Sequence, residues 1–485
     1  MTKFIFDLDE KRQKGILQSN FLGNIREHFS VKDDTAKIKQ LRFNRYIPTR
    51  KYAITPSGRF EIGLLGEIYK YINSLQIPFK IVITDKLKEQ FKPSYDFREC
   101  NPNILNKKLR DYQLITVKKC LKQGNGIVVI ATAGGKTLIT ASLIKTINDH
   151  IDKNKTLIIV PGIQLIEQTY TDFLDYGINK NIICKWSGKN KLDKNAKIII
   201  AGLSILQSKK QDTDWIQDIN LLIFDECHKV KKQNQINNIL KQIKTPHKFG
   251  LTGTMPENKI DQWNVVGKFG PIIYEKPSYE LRKQKYIANA MIQILQIEYK
   301  TKPLYIKTPS LDNPTAMYEE ENDFLYQNSF RNKLIATLSK KVDKNILVLV
   351  DRIEHGKILT NEVKKIAPDK NVYFIRGEVE VDDREKIRSL MEKSNNVVCI
   401  AITKIFSTGI NIKNLHYIIF ALVGKAKVKI IQSIGRGLRL HDTKERLVIF
   451  DIADELHYSI RHLEKRIMLY KKEKLKYETR KITEK

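Results

Sequence analysis

The feature that most constrains the fold of this chain is an alternation of short apolar runs with polar or helical stretches, which begins near Leu105. Each run is long enough for a buried strand but short for a buried helix. Such an alternation indicates βαβ units and a parallel sheet with helices on both faces. The predicted strands of the first half are Gly126–Ala131, Thr156–Val160, Ile198–Ala201, Leu221–Phe224 and Lys248–Leu251.

The alternation restarts after an irregular stretch from about Pro256 to Gln284, where we place the connection between two domains. We therefore predict an α/β fold with two tandem parallel-sheet domains, residues 101–275 and 276–455. Residues 1–100 are predicted to form a small α+β domain, and residues 456–485 a basic helix. The predicted strands of the second half are Ile346–Val350, Val372–Ile375, Val397–Ile402, Tyr417–Ala421 and Leu447–Phe450.

The charge of the chain indicates its partners. Lys and Arg total 86 and Asp and Glu total 54, so the net charge is +32. Such an excess predicts attraction to a polyanion, although an AT-rich genome also raises the lysine content. No apolar run approaches the ~20 residues that span a bilayer, and the N-terminus lacks a secretory signal pattern, so we expect no membrane partner and a cytoplasmic location. The five cysteines form no C-x-x-C pair and are expected to be reduced.

A glycine-rich loop follows the first predicted strand. Glycines let backbone N–H groups turn toward phosphate oxygens. Lys136 is predicted to reach the β- and γ-phosphates, and the Thr137 hydroxyl to bind Mg²⁺. Ile130 stands where the full pattern has glycine, and an ordinary glycine-rich turn is the alternative. The segment reads Thr132, Ala133, Gly134, Gly135, Lys136 and Thr137.

Two adjacent carboxylates, Asp225 and Glu226, follow the predicted strand Leu221–Phe224. Ligands bind at this carboxyl end of the strands in open α/β sheets. Two buried acids are costly without a cation. We predict that Asp225 holds Mg²⁺ and that Glu226 orients and deprotonates an attacking water. ATP and Mg²⁺ are therefore the predicted cofactors.

The sequence Asp225-Glu226-Cys227-His228, together with the glycine-rich loop, resembles the motifs of the D-E-x-H type superfamily 2 helicases. Further motifs of that family follow in order between Arg110 and Arg439. The resemblance implies two RecA-like domains of the P-loop NTPase class. It also implies an adenine-reading motif at Arg110 and Gln113.

Other residues take their expected roles from the same resemblance. Pro161 and Gln168 match a motif that lines the nucleic acid. Thr252 and Thr254, with His228, match residues that couple ATP to strand binding, and Thr403 begins another nucleic-acid motif. The chain departs from the family pattern at three more positions, Gly162, Gly202 and Asn411.

The last motif contains two arginines, Arg436 and Arg439, which share a face of a helix. Planar guanidinium groups suit the charge that develops on a transferred phosphoryl group. Because these arginines belong to the second sheet and Lys136 to the first, we expect an ATP site that forms when the domains close. Gly409 and Gln432 are also expected to contact the nucleotide. The motif reads Gln432-Ser433-Ile434-Gly435-Arg436-Gly437-Leu438-Arg439.

Two basic segments are candidates for nucleic-acid binding. Residues 37–60 contain no Asp or Glu, and aromatic residues alternate with their cations. Cations neutralise phosphates and aromatic rings stack on bases, whereas a solvated basic face is the alternative. The tail, residues 461–485, is likewise a candidate for nucleic-acid binding, with a solvated helix as the alternative. The first segment supplies Arg42, Arg45, Arg50 and Lys51 as predicted phosphate contacts.

The layout of the chain, with segments such as Phe43-Asn44-Arg45-Tyr46 and Phe406-Ser407-Thr408-Gly409-Ile410, is similar to the UvsW-type branched-DNA helicases of tailed bacteriophages. The resemblance implies ATP-dependent unwinding or branch migration of forked and junction DNA in recombination, repair or replication. It further implies proteins of those processes as partners and the cytoplasm of a host cell as location. An RNA helicase, a translocase subunit of a restriction or defence system, and a non-hydrolysing binding protein are the alternatives.

Overall fold

The structure is a computed structural model with two compact units. One unit contains residues 1–130 and 135–275, and the other contains residues 131–134 and 276–485. Arg42, Arg45, Gly409, Asn411, Gln432 and Arg436, which the sequence singled out, lie outside the described residues. The structure describes residues 1–11, 13–33, 36, 40–41, 46–90, 95–188, 190–208, 214–231, 235–300, 303, 314–376, 381–403, 412–423, 434–435, 437–441 and 444–484.

The first part of the chain forms a small α+β module. Its four-stranded sheet has the order β5-β2-β1-β6, in which β1 pairs antiparallel with β2 and parallel with β6. β3 and β4 form a separate antiparallel pair. The elements are β1 (Thr2–Asp9), β2 (Lys14–Gln18), α1 (Leu22–His28), β3 (Ser30–Lys32), β4 (Arg50–Tyr52), β5 (Arg59–Phe60), a 3₁₀ turn (Ile62–Leu64), α2 (Leu65–Ser74), β6 (Phe79–Ile83) and α3 (Asp85–Glu89).

A seven-stranded sheet follows in the same unit, with the order β13-β7-β12-β11-β8-β10-β9. The central strands are buried on both faces, so they are almost entirely apolar and were predictable within one residue. β9 and β13 were not predicted, because both are edge strands that are only partly buried: β9 alternates partly exposed and buried residues, and in β13 only Lys276 is buried. The elements are α4 (Asp111–Gln123), β7 (Gly126–Ile130), α5 (Lys136–His150), β8 (Thr156–Val160), α6 (Ile163–Asp175), β9 (Ile183–Trp186), β10 (Ile198–Gly202), α7 (Leu203–Leu206), β11 (Leu221–Asp225), α8 (Ile236–Gln242), β12 (His247–Thr252), α9 (Lys259–Phe269) and β13 (Ile272–Lys276).

The second unit contains another seven-stranded sheet, with the order β16-β17-β15-β18-β19-β14-β20 and parallel pairing throughout. The two parallel sheets confirm the predicted α/β class. The elements are α10 (Ser278–Lys283), β14 (Asn289–Glu298), α11 (Pro314–Gln327), α12 (Ser329–Lys340), β15 (Ile346–Val350), α13 (Ile353–Ile366), β16 (Asn371–Ile375), α14 (Val381–Lys393), β17 (Val397–Ile402), β18 (Tyr417–Phe420), β19 (Arg446–Asp454), α15 (His457–Lys472) and β20 (Lys476–Thr483).

The C-terminal region corrects one expectation. The predicted helix is present as α15, but it ends at Lys472 and the chain continues as the edge strand β20. Lys474 adopts a positive φ of 50°, which ends the helix and turns the chain. The free edge of β14 then offers backbone partners, and β20 pairs with it along its whole length. One face of α15 is held against β19, where Arg466 and Tyr470 bond to Asp451.

The small module packs tightly on α9 of the first sheet. A Cβ added to Gly63 would lie 2.2 Å from the Val266 carbonyl oxygen, so only glycine fits at this contact. Glu61 beside it forms an ion pair of 2.8 Å with Lys268, and the ring of Phe29 packs against Trp263. Among the described residues, no helix combines the length and the apolar character needed to cross a membrane.

Candidate active site

The predicted phosphate loop connects the buried strand β7 to α5, as the sequence indicated. Ala133 and Gly135 both have positive φ, 66° and 77°, and α5 begins at the next residue, Lys136. A Cβ on Gly135 would lie 2.4 Å from the amide nitrogen of Gln113, so glycine is required here for both space and conformation. The ammonium of Lys136 donates to the Ile130 carbonyl at 3.4 Å, which keeps it at the carboxyl end of β7.

The side chain of Gln113, the predicted adenine contact, is buried at the start of α4. Its amide oxygen accepts a hydrogen bond of 2.9 Å from the backbone N–H of Arg110, in a capping-box arrangement. The amide nitrogen lies beside Gly135, as the contact above shows. The structure therefore brings the start of this helix against the end of the phosphate loop.

The two predicted carboxylates lie at the end of β11. Asp225 is the last residue of the strand, and Glu226 adopts the left-handed conformation with φ 56°. The N–H of Glu226 donates to Asp225 Oδ1 at 3.0 Å, which fixes this turn. A non-glycine residue in this conformation is strained, and such strain is typical of functional sites.

The electrostatics of this turn shift the pKa values of the two acids in opposite directions. Burial and the neighbouring charge of Glu226 raise the pKa of Asp225. Burial also acts to raise the pKa of Glu226, but the charge of Lys136 and the adjacent His228 outweigh it and lower that pKa. Glu226 is therefore held ionised. Lys136, which is distant in sequence, thus lies close enough to both carboxylates to change their ionisation.

His228 connects the carboxylates to the next strand. Its Nδ1 lies 2.8 Å from the Thr252 hydroxyl and 3.2 Å from Glu226 Oε2. The Thr252 hydroxyl donates to the carbonyl of Thr254 at 2.8 Å. The oxygen of Thr252 is then an acceptor, so Nδ1 of His228 carries the hydrogen and donates it to Thr252, while Glu226 Oε2 lies within ion-pair distance of the same nitrogen. These contacts connect the backbone after β12 to the carboxylate.

Apart from Arg110 and Gln113, which precede β7, the predicted residues of the first sheet lie at or after the carboxyl ends of four adjacent strands, β7, β12, β11 and β8. Thr252 is the last residue of β12, and Pro161 follows β8, with Gln168 on the helix after it. In a parallel sheet these ends lie on one edge, so one edge presents the lysine, the acids and the nucleic-acid motifs together. Pro161, Gln168 and Thr254 are partly exposed there.

The second sheet has a comparable polar edge. Thr403 follows β17, is buried, and donates its hydroxyl hydrogen to the Val350 carbonyl at 2.9 Å. Asp351, the residue after β15, accepts the N–H of Val423 at 3.2 Å. Asp351 was missed by sequence reasoning, although an acid directly after a buried strand is the signal that identified Asp225. Arg439 is partly exposed.

Two protein-family models match the chain. "Type III restriction enzyme, res subunit" matches residues 106–257, and "Helicase conserved C-terminal domain" matches residues 329–441. The chain is 28% identical over 473 residues to the ATP-dependent DNA helicase uvsW of Enterobacteria phage T4, covering 91% of this chain and 89% of that protein. The chain is a superfamily 2 helicase. It is thus an ATP-hydrolysing enzyme, as the sequence predicted.

Further proteins are similar to this helicase. It is 26% identical to the DNA 3'-5' translocase XPB2 of Sulfurisphaera tokodaii, over 70% of this chain and 80% of that protein. The crystal structure of T4 UvsW matches 99% of both chains at 25% identity and a TM-score of 0.46. The DNA-bound restriction-modification enzyme LlaBIII shares the fold, with a TM-score of 0.57 at 12% identity over 93% of this chain and 36% of that chain.

Two of the predicted phosphate contacts in the N-terminal module are in ion pairs. Arg50 lies 2.7 Å from Glu27, and Lys51 lies 3.0 Å from Asp33. About a third of each cation's side chain is exposed, 32% and 34%. Sequence reasoning saw a segment without acids. The fold supplies the acids from the preceding helix and loop, so these cations reach phosphates only in competition with a carboxylate.

Proposed function

We propose that this helicase unwinds or branch-migrates forked and junction DNA in recombination, repair or replication. The observation that carries the proposal is the similarity to the ATP-dependent DNA helicase uvsW along 91% of the chain. The proposal includes a cytoplasmic location and proteins of those processes as partners. Residues 1–100 act as a DNA-binding domain, and residues 101–275 and 276–455 act as the two motor domains.

The chemistry of the first sheet supports ATP hydrolysis. Lys136 binds the β- and γ-phosphates, and Arg110 and Gln113 bind the adenine. Glu226, held ionised, accepts a hydrogen bond from the attacking water and orients it. The rest of the nucleotide site consists of Thr132, Ala133, Gly134, Gly135 and Thr137.

The donors at this edge fit Mg²⁺. The Asp225 carboxylate and the Thr137 hydroxyl are the hard oxygen ligands that this ion prefers, and it usually completes its shell with phosphates and water. Among the described residues, no group of three or more His, Cys, Asp or Glu side chains forms a cage for a metal. When bound, Mg²⁺ neutralises charge on the transferred phosphoryl group.

The second motor domain contributes arginines in this proposal. Arg436 and Arg439 stabilise the charge that develops on the γ-phosphate, and Gly409 and Gln432 contact the nucleotide. Because these groups belong to a different sheet from Lys136, hydrolysis and domain closure are coupled. ATP hydrolysis is coupled to movement on the DNA strand through His228, Thr252 and Thr254.

DNA binding follows from the charge and from the motifs that line the carboxyl edge. Pro161, Gln168 and Thr403 contact the DNA strand. The cations Arg42, Arg45, Arg50 and Lys51 bind phosphates of the branched duplex, and the net charge of +32 supports this attraction. A restriction translocase is a second candidate, since the family model for residues 106–257 carries that description.

The test is ATPase activity measured side by side with a single strand, a duplex, a fork, a four-way junction and RNA, at one fixed salt concentration. We expect the fork and the junction to stimulate most and RNA to leave the rate at its basal value. Lys136→Met, purified in parallel, reports contaminating ATPase. Stimulation by RNA above every DNA would overturn the assignment. Stimulation by plain duplex equal to that by junctions would favour the restriction translocase.

A further inference from the structure

A cleft of about 430 Å³ opens between the N-terminal module and the first sheet, and the ATPase mechanism does not use it. It is lined by the residues before β7, β12 and β13, among them Asn125, Pro246 and Pro271. The phosphate loop follows the opposite end of β7, and Thr252 and Thr254 lie at the opposite end of β12. β12 has six residues, so at ~3.3 Å per residue the cleft lies about 20 Å from the nucleotide edge. We call it the amino-edge cleft.

The amino-edge cleft has an excess of positive charge. Glu61 in its wall pairs with Lys268 at 2.8 Å and with Lys14 at 3.4 Å. Lys248, which also lines the cleft, has no carboxylate within ion-pair distance among the described residues. Burial and the nearby Lys268 lower the pKa of Lys248 to about 8. Three ammonium groups thus share one carboxylate, and such a group is stabilised by an additional anion.

The rim and the lining of the cleft indicate a second property that its ligand must have. Lys241 and Lys244 on the rim are exposed and extend the positive charge outward. Between its polar residues, the lining presents the aliphatic side chains of Ile62, Leu65, Leu240, Ile243 and Val266. Bases stack on exposed aromatic rings. Of the two aromatic residues in the lining, Phe269 is buried and Tyr69 is exposed, so the aliphatic side chains outnumber the rings available for stacking. An aliphatic or aromatic side chain flanked by carboxylates matches both the charge and the lining.

The cleft is already formed in the packed unit. Its two walls are held together where Gly63 approaches the backbone of α9 and where Glu61 pairs with Lys268. A preformed site binds without the entropic cost of ordering its walls.

We propose that the amino-edge cleft binds an acidic peptide segment of a partner protein, with carboxylates at Lys248 and Lys244 and an apolar side chain on the aliphatic lining. Binding there leaves the nucleotide edge open. The helicase therefore holds the partner and hydrolyses ATP at the same time.

The test is fluorescence anisotropy of the labelled peptide Asp-Glu-Leu-Asp-Glu-Phe-Asp with the full-length protein. We expect saturable binding that weakens about ten-fold in Lys248→Met, because one charge-assisted contact is lost. Lys244→Met, an exposed change that leaves the core intact, is expected to weaken binding as well. Lys340→Met, at the exposed end of α12, is the matched control and keeps full affinity. The basal ATPase rate stays unchanged in all three variants.

Three results overturn the proposal. The first is the absence of saturable peptide binding to the wild-type protein up to about 1 mM. The second is equal affinity of the Lys248→Met, Lys244→Met and wild-type proteins. The third is competition by a single-stranded oligonucleotide whose own affinity falls in Lys248→Met, which would identify a nucleic-acid site. A peptide with Ser in place of Leu and Phe tests the lining, and we expect it to bind more weakly.

Discussion

Nδ1 of His228 lies 2.8 Å from the hydroxyl of Thr252, and this contact joins the ends of two adjacent strands, β11 and β12. The same nitrogen lies 3.2 Å from Glu226. The residues proposed for hydrolysis and for coupling are therefore one set joined by consecutive polar contacts. Changes at the two ends of this set are expected to have different effects.

Thr252→Val removes the hydroxyl that His228 contacts while it keeps the size of the side chain. We expect the affinity for ATP to stay within about three-fold and unwinding per ATP hydrolysed to fall about ten-fold, within the usual range of coupling between sites. The measurement is ATPase and strand separation on the same fork. Thr337→Val, whose hydroxyl bonds only within α12, is the control. Equal efficiency in both variants would contradict the coupling role.

Glu226→Gln keeps the shape of the side chain but removes its charge. We expect ATP to bind within a few-fold of the wild type and hydrolysis to fall about 10²–10⁴-fold, the usual contribution of a general base. Single-turnover hydrolysis and equilibrium binding of a fluorescent ATP analogue separate the two effects. Glu167→Gln, which removes a surface ion pair with Lys185, serves as control. Turnover within ten-fold of the wild type would show that another group positions the water.

Gly63→Ala tests the attachment of the N-terminal module. The new Cβ would lie 2.2 Å from a backbone oxygen, so the module must shift, at a cost of about 1–3 kcal/mol. We expect a lower melting temperature and faster proteolysis between the module and the first sheet. Gly66→Ala, three residues later, has no atom within 4 Å of the new Cβ and should be within ~0.5 kcal/mol of the wild type. Indistinguishable melting of the two variants would refute the tight contact.

The pKa of Lys248 predicts a pH dependence of stability. Its pKa is about 8 in the folded protein and 10.5 as the unperturbed value, because burial and Lys268 outweigh the attraction of Glu61. Between these values the unfolded chain binds more protons, so stability rises with pH; below 8 the full cost of the buried charge is present. We expect Lys248→Met to melt above the wild type at pH 7, with the difference shrinking toward pH 10. Thermal melts of both proteins at pH 7 and pH 10 measure this difference in melting temperature. A difference that is the same at both pH values would show that Lys248 does not titrate between them.

Many features of the fold and of the candidate site were predictable from local sequence. The central strands, such as Thr156–Val160 and Ile346–Val350, are buried and almost entirely apolar because helices cover both faces of a parallel sheet. The same parallel arrangement places every strand's carboxyl end on one edge. Consequently, residues found by motif alone, such as Lys136 and Asp225, had to meet there. The edge strands β9 and β13 carried no such signal, because part of each remains exposed.

Other properties depended on contacts between residues distant in the chain. Glu27 and Asp33 neutralise cations that stand in a segment without acids, and β20 exists because β14 had a free edge. The charge of Lys248 matters only because the fold brings it beside Lys268. Sequence periodicity and motifs reflect the interactions of a residue with its neighbours along the chain. Which groups share a buried space is decided by the packing of separate elements, and only the tertiary structure determines that.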